Sequence, residues 1–452
     1  MDSSKQMTSG NPAKLILFFA IPLMIGNIFQ QLYTMVDTMI VGQVLGVSAL
    51  AALGAADWLI WLVQGIITGM TQGFSIQLSQ DYGAQRWERL KKSAGRSILL
   101  TIVMAISVFV FFQVTLKPIL LLLNTPVDIL DMAMEYARVI FLGLFSVSAY
   151  NLGASFLRAM GDSNSPLRAM LVASVINIVL DIVFVAYFHW GIAGAAFATI
   201  LSQTISALYC FLVLRKMEVM ALKKQDFDSM DAPDQRLLRL GFPMAAQNVI
   251  IAIGGLCVQY VINGFGSLYV AGFTATNKMY GLLELAALAF GFAMTTYVGQ
   301  NLGAGKILRI KEGVKSGSMM ALLTSGVITV LMFVFGRQIL SLFISGDPNE
   351  TAQVLKIAYD YLRVMASCLW VLYLLFVFRS TLQGLGDTFI PMISGFVELV
   401  CRVVLIFVMP RFFGMESIYF VEVFAWSGAT ILLVGSCLKR IRDLKEGEES
   451  LC

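Results

Sequence analysis

The stretch Lys14–Gly46, KLILFFAIPLMIGNIFQQLYTMVDTMIVGQVLG, is long and apolar enough to cross a bilayer, which takes roughly 20 residues of helix. It carries a proline early in its apolar run, Pro22, and a single carboxylate, Asp37. An ionisable group near the middle of such a span costs about 2.5–3.5 kcal/mol on insertion scales, so Asp37 needs a reason to be there. Pro22 removes a backbone hydrogen bond inside the span and offers a bending point, whereas its counterpart Pro243 sits nearer a helix start.

The rest of the chain is of the same kind. Of 452 residues, 58% are hydrophobic and 13% charged, and the mean hydropathy is +0.79. An ordinary soluble globule is excluded, and the expected class is an all-α integral membrane protein. The net charge of +4 supports no nucleic-acid partner. Cys210, Cys257, Cys368, Cys401, Cys437 and Cys452 show no CxxC or Cys/His spacing, so neither a disulfide framework nor a zinc site is expected. The polar N-terminus leads into a span too long for a signal-peptide core, and no cleavage is expected.

Apolar runs bounded by charges and turns predict twelve spans, near 15–42, 48–80, 94–116, 132–157, 166–188, 191–214, 235–264, 269–300, 314–335, 354–382, 389–410 and 416–438. The connections at Gly42–Gly46, His189–Gly191 and Gly264–Gly266 are short, while DYGAQRWERLKK and the segment from Arg215 to Arg239 form basic loops on the other side. With the N-terminus inside, the inner segments take 24 of the 32 Lys and Arg, from Lys5 and Lys14 through Arg379 to Lys445. The positive-inside rule then places both termini in the cytoplasm of a cell-membrane protein.

An internal repeat is visible within the chain. AIPLMIGN (Ala20–Asn27) answers to GFPMAAQN (Gly241–Asn248), SQDYGAQR (Ser79–Arg86) to GQNLGAGK (Gly299–Lys306), and LRAMGDSNSP (Leu157–Pro166) to LQGLGDTFIP (Leu382–Pro391). The shifts are 221 from Pro22 to Pro243, 220 from Gly83 to Gly303 and 225 from Gly161 to Gly386. Six spans per repeat start both repeats on the same side. This predicts two parallel six-helix bundles, 1–220 and 221–452, of the kind transporters rock about a central site.

Negative evidence narrows the chemistry. His189 is the one histidine, and there is no HExxH, GxSxG or Walker A sequence, so an enzyme or nucleotide-driven pump lacks its parts. No cofactor is expected. The ionisable residues expected inside the spans are Asp37, Asp181, Lys278, Glu284, Glu398 and Arg402. Asn177 and Asp181 share a helix face at a spacing of four, where an amide oxygen and a carboxylate can hold a small cation or a proton; hydrogen bonding to neighbouring helices is the plainer alternative. Glu398 and Arg402 have the same spacing and read equally as a structural helix pair or as substrate-facing groups. Gly65, Gly69 and Gly73 form overlapping GxxxG steps for close helix approach. The 24 Met and 32 Phe suit a pliable apolar cavity, although most must face lipid or core.

Taken together, the six-span repeats, Pro22 with Val36 and Asp37, Asn177 with Asp181, WGIAGAAFAT (Trp190–Thr199) and the GD loops leading to Pro166 and Pro391 resemble the multidrug and toxic compound extrusion (MATE) transporters, in a prokaryotic form. The resemblance implies a V-shaped pair of six-helix lobes exporting small amphipathic, often cationic compounds in exchange for H⁺ or Na⁺, as a monomer in the lipid bilayer. It assigns cation binding, including any Na⁺, to Asp37, Asn177, Asp181 and Thr199 and places Tyr136 on the same cavity; Pro22 is the hinge candidate on the ground of its missing backbone hydrogen bond. Some relatives use further acids on the seventh and tenth spans, where this chain has Gln247, Gln259 and only Asp360 at the entry. Glu284, Glu398, Arg402 and Lys278 remain as cavity or substrate groups. The main alternative is a flippase of lipid or lipid-linked saccharide from the same superfamily, separated by accumulation of a lipid-linked precursor on deletion. A membrane enzyme or receptor would need a reactive constellation or an appended domain.

Overall fold

The computed structural model describes residues 6–123, 125–228, 233–344 and 348–449, so Lys5 and Cys452 lie outside the described residues. Every regular element among these is helical. The first repeat contains α1 (Pro12–Leu45), α2 (Val47–Gly83), α3 (Trp87–Leu122), α4 (Val127–Leu142), α5 (Leu144–Ala159), α6 (Asn164–Asp181) and α7 (Gly191–Arg215). The second contains α8 (Pro233–Asn263), α9 (Ser267–Gly303), α10 (Ile307–Ser341), α11 (Pro348–Ser367), α12 (Leu369–Gly384), α13 (Phe389–Phe413) and α14 (Val421–Glu449). The correspondence is one to one. In each repeat the second helix packs on the third and fifth, the fifth on the seventh, and the sixth on the seventh.

Among the described residues ten helices are individually long and apolar enough to span, and counting each of two bent pairs as one span gives up to twelve. The spans expected at 132–157 and 354–382 are therefore not continuous. The first breaks at Gly143 with a bend of 46° between α4 and α5, and the second at Cys368 with 49° between α11 and α12. At Gly143 α7 packs closely on the break: a Cβ there would lie 2.4 Å from the Ile200 side chain, so the position has room for glycine only.

The loops repeat as well. Gly46 and Gly266 open α2 and α9 with φ of 88° and 95°, and Gly161 and Gly386 turn the GD loops with φ of 87° and 83°. Such values favour glycine because a Cβ clashes there. The following Asp starts the next helix: Asp162 Oδ1 accepts from the backbone N–H of Asn164 (3.0 Å) and Ser165 (2.9 Å), and Asp387 Oδ1 from that of Ile390 (3.2 Å). These carboxylates satisfy amides that the first helical turn leaves unpaired.

By contacts the described chain forms two compact units, and two helices contribute to both. Ile21–Ala245 makes the first unit, and Met7–Ala20 joins the residues from Ala246 onward in the second. The division thus falls inside α1 and α8, next to Pro22 and Pro243, rather than in the linker near residue 220. In the first unit Arg96 forms a bidentate pair with Asp234 and donates to the Phe227 carbonyl at 2.8 Å, and Arg236 donates to Gln80 at 2.8 Å. In the second, the Met7 backbone N–H donates to Gln300 (2.8 Å), Asn301 to the Met7 carbonyl (3.0 Å) and Lys306 to the Thr8 carbonyl (2.8 Å). Each unit therefore holds the segment at the start of a proline-bearing helix, the first through Gln80 and Arg96 and the second through Gln300, Asn301 and Lys306.

The GxxxG reading of α2 has a definite partner. A Cβ on Gly73 would lie 2.3 Å from the Gly241 Cα, and one on Gly69 2.5 Å from the Ala245 Cα, so the two backbones touch. Gly73→Val forces them apart and is expected to destabilise the protein by about 1–3 kcal/mol, the usual cost of overpacking. Thermal unfolding of the purified protein in detergent reads this, with Gly54→Ala as control because Gly54 faces open space. Equal midpoints for Gly73→Val and wild type would show that the helices are not held by this contact.

Candidate ion site in the first unit

α1 and α6 run side by side. Gly26, one turn past Pro22, sits where a Cβ would meet Leu167 at 3.4 Å and Met170 at 3.6 Å. Asp37 follows Gly26 by eleven residues and Asp181 follows Met170 by eleven, so at about 1.5 Å per residue both carboxylates climb to the same level. Their side chains come within hydrogen-bonding reach of each other. Asp37 is 8% exposed, Asn177 1% and Asp181 fully buried.

The carboxylates are not met by donors. Oδ1 of Asp37, both oxygens of Asp181 and Oδ1 of Asn177 accept no hydrogen bond, and Nδ2 of Asn177 donates none, among the described residues. Two carboxylates cannot hydrogen-bond to each other unless one carries a proton, and buried charges are costly when unpaired. The arrangement calls for one added positive charge. A hard monovalent cation also suits the set, which offers oxygen donors only; no group of three or more His, Cys, Asp or Glu with metal-holding geometry occurs among the described residues.

The local helix supports this reading of the site. α6 ends at Asp181 and continues as a π-helix over Ile182–Tyr187. Such wide turns free carbonyl groups and recur at functional sites. Tyr136 of α4 is buried and lies within electrostatic range of Asp37, Asp57, Asp181 and Tyr33. Thr199 on α7 is half-buried, and its side chain makes no hydrogen bond to the other three among the described residues.

Two neighbours escaped the sequence reading. Tyr33 lies one turn before Asp37 and reaches the side chains of Gln30, Thr34 and Gln203. Asp57 of α2 is exposed yet lies within electrostatic range of Asp37. Tyr33 was legible as an i−4 partner, and Asp57 as a lone acid in an apolar run.

The remaining predicted residues separate. Glu398 and Arg402 are buried and joined by an ion pair of 3.3 Å, but in a wider set. Arg379 of α12, expected among the inner loop cations, is instead buried and paired with Glu398, and it donates to Ser394 at 3.2 Å. α12 continues past it to Gly384, so it lies within the helix and not in a loop. Arg402 Nε donates to both oxygens of Glu422 at 3.0 Å, and Nη2 reaches Glu422 at 2.9 Å. Lys278, expected inside the spans, is exposed on α9, with no ion pair among the described residues.

The repeat explains why the two units differ. At the GD-loop shift of 225, Asn177 corresponds to Arg402 and Asp181 to Ile406, and at the proline shift of 221, Tyr33 corresponds to Gly254 and Asp37 to Val258. The larger Arg402 is accommodated by the smaller Gly254, where a Cβ would lie 3.1 Å from Arg402 Nη1. The carboxylate pair is thus absent at the equivalent place, and ion pairs replace it.

A helical membrane protein of two parallel repeats, with an ion-ready carboxylate pair in one of them, has the architecture of a secondary transporter. A family model described as MatE matches residues 22–183 and again residues 243–408. The chain belongs to this family of multidrug and toxic compound extrusion transporters. It is 31% identical over 358 residues to the probable multidrug resistance protein YpnP of Bacillus subtilis (strain 168), covering 78% of this chain and 80% of that protein. The probable multidrug resistance protein YoeA of the same organism is 29% identical over 415 residues, covering 88% and 87%. Among solved structures, an outward-facing multidrug resistance MATE transporter of the MOP superfamily superposes with a TM-score of 0.91 at 24% identity, covering 99% of both chains.

Proposed function

We propose that the protein is a multidrug efflux antiporter of the cell membrane, with both termini cytoplasmic, which exports small amphipathic cations in exchange for H⁺ or Na⁺. The observation that carries this reading is the approach of Asp37 and Asp181 without a donor between them. Direct contact of two carboxyl groups is naturally bridged by a proton, so the proton is the favoured coupling ion. Asn177 offers its amide to whichever ion binds.

An ion entering from outside neutralises the pair and removes the repulsion between α1 and α6. It thereby changes how α1 packs beyond Pro22, and the cationic substrate loses an attractive negative charge. Each ligand shifts the conformational equilibrium only by its differential affinity for the two states. Multidrug export is supported by the names of the relatives.

The test is efflux of a cationic dye from proteoliposomes under a pH gradient alone and a Na⁺ gradient alone. The pH gradient is expected to drive concentrative export. Dye movement that only ever runs down its own gradient, under either condition, overturns the proposal.

A further inference from the structure

Where α2 ends and α8 begins, the first unit gathers positive charge that the proposed ion site does not use. Three arginines are tied there to one dipeptide of α2. The Arg86 backbone N–H donates to the Asp81 carbonyl at 3.0 Å, Arg89 pairs with the Asp81 carboxylate at 3.3 Å, and Arg236 of α8 donates to the Gln80 side chain at 2.8 Å. Arg239 follows one turn along α8, and Arg86, Arg89 and Arg239 all lie within electrostatic range of Arg236.

The acids nearby do not balance this group. Asp81 is buried, and its second oxygen is taken by Gln77 (2.7 Å) and Ser93 (3.2 Å). Asp234 is held bidentately by Arg96, and Asp228 lies within range of that same arginine. Glu88 in the first turn of α3 is exposed. Four guanidinium groups thus meet Asp81 and at most Glu88, and the Arg86 side chain makes no hydrogen bond or ion pair among the described residues.

The second unit shows that the fold does not require this charge. At the shift of 220, Arg86 and Arg89 correspond to Lys306 and Arg309, whose side chains are spent on main-chain carbonyls, Lys306 on Thr8 at 2.8 Å and Arg309 on Gly10 at 2.9 Å. At the shift of 221, Arg236 and Arg239 correspond to Leu15 and Phe18, so the α8 arginines are peculiar to the first repeat. Next to them on α8, Leu238 and Phe242 are exposed one turn apart. A cluster of guanidinium groups at the end of a span, with an apolar face running on from it, is complementary to an amphiphile with an anionic head. Arginine takes phosphate through paired N–H groups, and basic sites between helices at the cytoplasmic side hold lipid headgroups.

We propose that Arg86, Arg89, Arg236 and Arg239 bind the phosphate headgroup of an anionic phospholipid, with its acyl chains along Leu238 and Phe242. The bound phosphate links the α2–α3 corner to α8 and so reinforces the contact of Gly69 and Gly73 with Ala245 and Gly241. That the lipid belongs to the inner leaflet rests on the reading that both termini are cytoplasmic; the site itself rests on neither that reading nor antiport.

Calorimetric titration of the purified full chain in detergent with short-chain phosphatidylglycerol tests it, against phosphatidylcholine of equal chain length and inorganic phosphate. A basic residue beside anionic headgroups is worth about fivefold in affinity, so Arg86→Gln/Arg236→Gln is expected to weaken phosphatidylglycerol binding roughly 25-fold and leave phosphatidylcholine binding unchanged. Lys439→Gln/Arg440→Gln, which removes two exposed charges from α14, is expected to change neither. Added salt should weaken phosphatidylglycerol binding to wild type. Phosphatidylglycerol binding to wild type no tighter than phosphatidylcholine, or indifferent to salt, overturns the proposal whether or not the variants fold. Equal losses in the two double variants overturn it too, as does inorganic phosphate binding as tightly as the lipid. A chain inserted the other way round would still pass in detergent and would be revealed by labelling of its termini in cells, while failure of antiport would show in the dye-efflux experiment.

Discussion

Asp181→Asn is expected to abolish concentrative export while leaving substrate binding measurable. The substituted amide keeps the shape of the side chain but cannot share a proton with Asp37 or balance a cation. With the second carboxylate gone, the link between ion and substrate is lost. Coupling energies between two ligands are commonly about 1–3 kcal/mol, equivalent to roughly 5- to 150-fold in affinity. The ion-dependent shift in substrate affinity should therefore fall by about that factor. Asp37→Asn should behave alike, whereas Asp57→Asn should have the smaller effect, because Asp57 is exposed and acts on Asp37 only through space. Ligand-binding titrations at two pH values on the three variants check this. If Asp181→Asn keeps the full pH-dependent shift in affinity, the carboxylate pair is not the coupling site.

The second large effect concerns stability. Glu398 accepts from both Arg379 and Arg402, so Glu398→Ala takes away the ion pair of Arg379 and leaves it Ser394 as hydrogen-bond partner among the described residues, while Arg402 retains Glu422. Removing one partner from a buried ion pair typically costs about 3–5 kcal/mol, because the other charge stays behind uncompensated. Glu398→Ala is therefore expected to unfold at markedly lower temperature or denaturant. The double variant Glu398→Ala/Arg379→Met should recover much of the loss, since the stranded charge is then gone. This cycle separates a charge effect from a packing effect. Equal destabilisation in the single and double variants would mean that packing, and not the ion pair, is what Glu398 contributes.

The sequence made some of this legible and hid the rest for physical reasons. Asp37 and Asp181 stand out because hydrocarbon does not tolerate isolated carboxylates, and Asn177 because four residues return a helix to the same face. Their convergence depends on α1 lying against α6 around Gly26, Leu167 and Met170, and an apolar run does not announce its partner. The bends at Gly143 and Cys368 are invisible to hydropathy, because both lie in uninterrupted apolar runs without proline. Arg379 looked like an inner-loop cation because a basic residue near an apparent span end usually is one. Its true partner, Glu398, lies nineteen residues away on the next helix. Glu422, at the start of α14, gave no sign of reaching Arg402. Lys278 shows the converse, since its place within an apolar span implied burial while its helix face leaves it exposed.

The repeat carried more information than its short motifs suggested. Aligning the halves by their own offsets pairs Asn177 with Arg402 and Tyr33 with Gly254, a large-for-small exchange on both helices at once. The first unit is left short of positive charge at a carboxylate pair, and the second holds a chain of ion pairs at the equivalent place.

Antiport is tested most directly in the reverse direction, by loading proteoliposomes with a cationic substrate, imposing no ion gradient and recording the pH on one side of the membrane as substrate leaves. The expected result is proton movement opposite to the substrate in wild type and none in Asp37→Asn/Asp181→Asn. Substrate leaving wild-type vesicles through the protein with neither protons nor Na⁺ moving in exchange would contradict the account.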